Sequence, residues 1–112
     1  MSKIIGLKGE VEAREYLVKS GYQILETNFK NKIGEIDIIC KKDGVIVFVE
    51  VKRRESIKFG YPREAVNYHK QQKIRQVATG YLKYKGLYEK CAVRFDVIDL
   101  IGDNLTHIEN AF

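Results

Sequence analysis

The chain has little of what breaks or staples a fold. One proline in 112 residues, with no repeat, low-complexity run or linker-like stretch, argues for a single ordered domain over 1–112. Its two cysteines, Cys40 and Cys91, lie in apolar segments without C-x-x-C spacing. They read as buried free thiols, which sets aside a disulfide framework or a zinc site. Two separated histidines, His69 and His107, are too few for a histidine-centred nuclease or zinc centre. No apolar run is long enough to span a bilayer, and MSKIIGLKGEVEAREYL has no signal-peptide core. The expected location is the cytoplasm, with no membrane partner.

What the chain does have is positive charge. Twenty Lys and Arg against fifteen Asp and Glu give a net charge of +5 and a pI near 9.2. That excess suits a polyanionic partner such as nucleic acid or an anionic membrane surface. A hydrophobic content of 45% is enough for one real core.

Periodicity predicts a helix from about Lys3 to Ser20, with Leu7, Val11 and Val18 as an apolar stripe that Ala13 and Leu17 widen. Lys8, Glu12, Glu15 and Lys19 share the solvated face. Glu10 and Arg14 instead project within the apolar arc, either as a rim ion pair or with Glu10 turned toward an interior cleft. Gly21 ends this helix. Strands follow over Tyr22–Phe29, EIDIICKK and VIVFVEVKRR, the last two joined by the hairpin signal Asp43-Gly44. A second helix is predicted from Tyr61-Pro62 to about Lys85, with Val66, Ile74, Val77, Ala78 and Tyr81 inward and Gly86 as its stop. CAVRFDVIDLI and LTHIE are the last two strands, around a Gly102-Asp103-Asn104 turn. The expected fold is α/β, a mixed β-sheet flanked by helices, in the order helix, three strands, helix, two strands.

The Asp43-Gly44 turn fixes a register in which Asp37 faces Glu50 and Glu35 faces Lys52. Residues so opposed have Cβ atoms roughly 4.5–5.5 Å apart, and two carboxylates at that distance repel. Three resolutions exist: a divalent cation, a proton shared by the pair, or solvent exposure of that face. Exposure is disfavoured because Ile39, Ile46 and Phe48 share the face with the acids. Lys52, two residues beyond Glu50 on that face, could balance the acids or orient a water or phosphate oxygen. A basic protein with such a site is a candidate metal-dependent phosphodiesterase.

Asp37, twelve intervening residues, then Glu50-Val51-Lys52 resembles the D…(D/E)xK signature of the restriction-endonuclease-like superfamily. Glu10 on the first helix resembles the additional glutamate of its archaeal Holliday-junction resolvase branch. More closely, NFKNKIGEIDIIC, VFVEVKRR, GYPREAVNYHKQQKI and RFDVI resemble the YraN-like family of small bacterial proteins, grouped with endonucleases but of undetermined function. The resemblance covers nearly the whole chain, although Ile36 stands where the superfamily often has a proline. It implies a restriction-endonuclease-like core in which Glu10, Asp37 and Glu50 ligate Mg²⁺, or Mn²⁺ as a substitute. The main-chain carbonyl of Val51 would be a further ligand, and Lys52 would position or activate the attacking water. The implied activity is endonucleolytic hydrolysis of DNA, structured or branched, by a possible homodimer. The alternative is a non-catalytic nucleic-acid-binding module that keeps the fold.

Other residues are weaker candidates. Lys70 falls in the apolar arc of the second helix, either snorkelling to water or facing the acids and touching phosphate. The resemblance favours the latter; Gln71 beside it is a lesser candidate. Arg53, Arg54, Lys58 and Arg63 are the expected backbone-phosphate contacts. Arg94 and Asp96 share a strand face as an ion pair, and the tyrosines, at helical spacing, read as core rather than as base-stacking platforms.

Overall fold

The computed structural model describes residues 2–55 and 66–112, with side chains from Gly9 onward. Helix α1 spans Ser2–Lys19, strands β1 Gln23–Lys30, β2 Glu35–Lys42 and β3 Val45–Arg54, helix α2 Tyr68–Tyr84, and strands β4 Ala92–Ile101 and β5 Asn104–Ile108. This is the order expected from the sequence. The strands form one mixed sheet in the order β1-β2-β3-β4-β5. Hairpins make the neighbouring pairs antiparallel except β3 and β4, which run parallel because the α2 connection crosses over between them.

Each helix covers one face of the sheet, and the alternation of the strands builds a core on both sides. Beneath α1, Ala13 and Leu17 pack on Ile38, Cys40, Val47, Val49, Ile98 and Leu100. Beneath α2, Ile74, Val77, Ala78 and Tyr81 pack on Ile36, Ile39, Ile46, Phe48, Phe95 and Val97. Burial on both faces explains why β3 and β4 read as nearly continuous apolar runs. The thiol of Cys40 is buried there and pushed up to about 12 by loss of solvation, whereas Cys91 is only half-buried. Asp43 and Gly44 both adopt positive φ, +51° and +79°, so the β2–β3 connection is the two-residue turn that the dipeptide signals.

Three expectations are corrected. The inner line of α1 is Gly9–Ala13–Leu17, not a stripe through Val11 and Val18. Ala13 and Leu17 are fully buried, while Val18 is 55% exposed; the side chain of Leu7 lies outside the described residues. The reason is size: a Cβ on Gly9 would stand 3.3 Å from Arg53 Cβ and 3.4 Å from Leu100 Cδ1. The helix therefore seats its smallest residues where it approaches the sheet most closely. Helix α2 begins at Tyr68, not Pro62, because Asn67 in extended conformation caps it with a side-chain bond from Lys70 N (2.9 Å). The segment around Tyr61-Pro62 lies outside the described residues. Finally, Tyr81 is core, but Tyr68 and Tyr84 are exposed.

Candidate active site

The β2–β3 ladder follows the register set by the turn from Lys42↔Val45 to Ile38↔Val49, and its pairing stops there. Asp37 and Glu50 occupy the next position without pairing as ladder partners. Asp37 Oδ2 instead accepts the Val51 N–H at 2.8 Å. The strand alternation slips at the same place. Ile36 and Ile38 are two residues apart yet pack under opposite helices. On β1, Asn28 takes φ +51° between the Thr27↔Ile38 and Phe29↔Ile36 pairs. Asn28 stands opposite Asp37 on β1, and β2 stops pairing with β3 beyond Ile38, so Asp37 sits at the mouth of the divergence.

Acids converge on Asp37 from both faces. Glu10, on α1, and Glu35, at the start of β2, each present a carboxylate oxygen within 4.8 Å of the others and of Asp37. Glu50, 6% exposed, faces α2 and lies against Asp37 on the other side. Burial, and then the Glu50 charge, pushes the Asp37 carboxyl up to about 8. Burial likewise raises Glu10, with Asp37 and Glu35 adding to the rise and a hydrogen bond to Asn28 opposing it. Asp37 is common to both groupings. Carboxylate oxygens crowded this way, one of them kept protonated by its neighbours, are a donor set suited to a hard divalent cation. Glu10, Glu35 and Asp37 are the side chains whose oxygens lie close enough together to hold one; Glu50 stands outside that group and meets it through Asp37.

Two lysines border the acids. Lys70 Nζ lies 3.6 Å from Glu50 Oε2 with half its side chain in solvent, so this lysine faces the acids rather than only water. Lys52, half-buried on the face of Glu50, has no carboxylate within ion-pair distance among the described residues. Its expected partner Glu35 instead pairs with Lys30 across β1 and β2, at 3.5 Å. Arg14 is exposed and makes no ion pair among the described residues, so the rim pair with Glu10 does not form.

The arginines that follow are held by acids on opposite faces. Arg53 Nη1 reaches Glu12 Oε1 at 3.0 Å, and Arg54 grips the fully buried Asp99 with Nη2–Oδ2 at 2.7 Å. Glu12 therefore reaches the sheet while its side chain stays 37% exposed. Lys58 and Arg63 lie outside the described residues. Gln71 donates to Val66 O at 3.0 Å and so fixes the chain where it enters α2.

Sequence reasoning missed Glu35 as a member of the acid group. The signal was present: it stands two residues before Asp37, on the same strand. It also missed a second network beneath α1. Asp96, fully buried, accepts Arg94 Nε (2.9 Å) and the Asn110 N–H (3.0 Å), and bonds His107 Nε2 (2.7 Å). His107 Nδ1 in turn meets Tyr16 OH at 2.8 Å. Burial alone would raise Asp96, but hydrogen bonds from His107, Arg94 and Asn110 hold it below the ordinary carboxylate range. The Arg94–Asp96 pair is thus present as expected, and His107 is not isolated.

No helix among the described residues is long and apolar enough to cross a membrane. The model of the uncharacterised protein family UPF0102 matches residues 9–100, which includes every acid of the site. A UPF0102 protein of Thermodesulfovibrio yellowstonii is 50% identical over 108 residues, covering 96% of this chain and 95% of its own. Those of Persephonella marina and Caldicellulosiruptor bescii are each 47% identical, covering 99% and 95% of this chain and 95% and 89% of their own. The chain belongs to the UPF0102, or YraN-like, family.

Proposed function

We propose that this protein is a Mg²⁺-dependent endonuclease of the restriction-endonuclease-like superfamily, hydrolysing phosphodiester bonds in structured or branched DNA in the cytoplasm. The observation that carries the reading is the convergence at Asp37: acids from α1, β2 and β3 meet there, with Lys70 against Glu50 and Lys52 two residues beyond Glu50 on its face, in a chain of net charge +5.

Glu10, Glu35 and Asp37 would hold the cation, with Glu50 and the Val51 carbonyl as the further ligands the resemblance implies, and Mn²⁺ would substitute for Mg²⁺. A cation bound there would supply positive charge to stabilise a phosphoryl oxygen and to acidify a nearby water. The Val51 N–H keeps the Asp37 carboxylate aimed at the gap between β2 and β3. Lys52, with no carboxylate partner among the described residues, is the group that orients the attacking water or steadies the developing phosphorane charge. Lys70 lies near enough to exchange Glu50 for a phosphate oxygen. Arg53 and Arg54 are committed to Glu12 and Asp99, so positive charge for the DNA backbone falls to Lys58 and Arg63, and a homodimer would match a two-fold junction.

One observation favours the second reading, a non-catalytic nucleic-acid-binding module. The Lys70 ammonium already neutralises part of Glu50's charge, as a cation would. Cleavage separates the two. Junction, flap and single-stranded DNAs are incubated with Mg²⁺ and wild-type protein beside Lys52→Ala purified identically. The nuclease reading expects cleavage by wild type and a loss of about 10²–10⁴-fold in the variant. Equal cutting by both would reveal a contaminating nuclease. Intact DNA with wild type, bound in a salt-sensitive way, would establish the binding module.

A further inference from the structure

Between the end of β1 and α2 lies a cleft of about 400 Å³ lined by Phe29, Lys30, Asn31, Gly80 and Tyr84, within the size range of small-molecule sites. Lys30 belongs to both the cleft and the acid cluster, since its ammonium reaches Glu35 at 3.5 Å. The cleft is therefore one side chain away from the acids. Tyr84 is 77% exposed, and the Lys85 ammonium lies 5.4 Å from its ring centroid. An exposed aromatic ring with a cation against it is a surface for a stacked base and its phosphate.

The floor of the cleft is kept open by a glycine. A Cβ on Gly80 would stand 3.0 Å from Asn31 Nδ2, a distance real Cβ atoms rarely tolerate. Asn31 itself is oriented by its turn: its Oδ1 accepts the N–H groups of Ile33 (2.9 Å) and Gly34 (3.2 Å). The amide NH₂ is thereby turned to the cleft side, where its bond to Val77 O is long, 3.5 Å. A hydrogen-bond donor with a weak internal partner is suited to a base edge. Exposed Lys32, Lys73 and Lys83 make the surroundings basic.

We infer that this cleft receives an unpaired nucleotide of the DNA substrate, its base stacked on Tyr84 and met by the Asn31 amide, so that the site selects a strand leaving a duplex. The inference rests on the DNA-cleaving reading for its ligand. It goes beyond that reading in assigning what recognises the branch.

The test uses a fork with 2-aminopurine as the first unpaired base, bound with Ca²⁺ in place of Mg²⁺ so that the DNA stays whole. Wild type is expected to quench the probe and to prefer the fork over the matching duplex. Tyr84→Ala should lose the quench and lower the fork-to-duplex affinity ratio about tenfold, and Tyr84→Phe should keep both. Melting curves matching wild type show that the exposed position leaves the fold intact. Equal preference and equal quenching in wild type and Tyr84→Ala would overturn the cleft, even if Mg²⁺-dependent cleavage is intact. Quenching that depends on Tyr84 without any cleavage in Mg²⁺ would keep the cleft and sink the nuclease. A protein that binds neither DNA would overturn both.

Discussion

Asp37 is the residue on which the account turns. Its carboxyl titrates well above the ordinary range because it is buried beside Glu50. The folded state therefore holds a proton that the unfolded chain releases near pH 4. Without a divalent cation, stability should fall as pH rises from about 4 toward 8, and this slope should flatten in Asp37→Asn. Urea melts at pH 5, 6.5 and 8 check this. At pH 8 with saturating Mg²⁺, wild type should gain about 2–3 kcal/mol at 100 times Kd, and Asp37→Asn should gain almost nothing. Asp96 runs the other way. Its carboxyl is depressed, so its contribution is complete above the unfolded value and lost as pH falls through the folded one. Asp96→Ala leaves Arg94 without its buried partner, and a loss of about 3–5 kcal/mol is expected in the same melts.

At the scale of elements, the acids meet because β2 parts from β3 and α1 sits close to the sheet. Gly9 sets that approach, with Arg53 Cβ 3.3 Å from where its own Cβ would be. Gly9→Val should push α1 outward, cost about 1–3 kcal/mol and carry Glu10 away from Asp37. The expected signature is a weaker Mg²⁺-induced rise in melting temperature, with Asp37 and Glu50 unchanged. The elements were largely legible in sequence because strand alternation, Asp43-Gly44 and Gly21 are local signals. The start of α2 was not, since a proline that suits a first turn outweighed the Asn67 cap five residues later. The face of α1 was misjudged because apolar bulk was counted, while the helix packs through Gly9 and Ala13. Turn geometry gave the register correctly, but it could not reveal that the ladder stops at Ile38↔Val49, where Asp37 bonds the Val51 N–H instead. That divergence moved Glu35 from Lys52 to the side of Glu10. His107 was missed because its partners, Asp96 and Tyr16, are 11 and 91 residues away.

For the whole molecule, the excess of positive charge makes any DNA affinity strongly salt-dependent, with a slope near −0.9 per neutralised phosphate. Lys73 is exposed on α2, its Cγ 3.5 Å from where a Cβ on Gly34 would stand, one residue before Glu35. Lys73→Ala should lower that slope by about one if the lysine meets a phosphate, read from fork affinities between 50 and 200 mM salt. The central claim, that the acids around Asp37 form a cation site, is tested most directly by proton release. Metal-free protein in weak buffer is titrated with Mg²⁺ at pH 6.5 and at pH 9. The account predicts release of about one proton per bound cation at pH 6.5, little at pH 9, and none in Asp37→Asn. Binding without proton release at pH 6.5, or no binding at either pH, would contradict it.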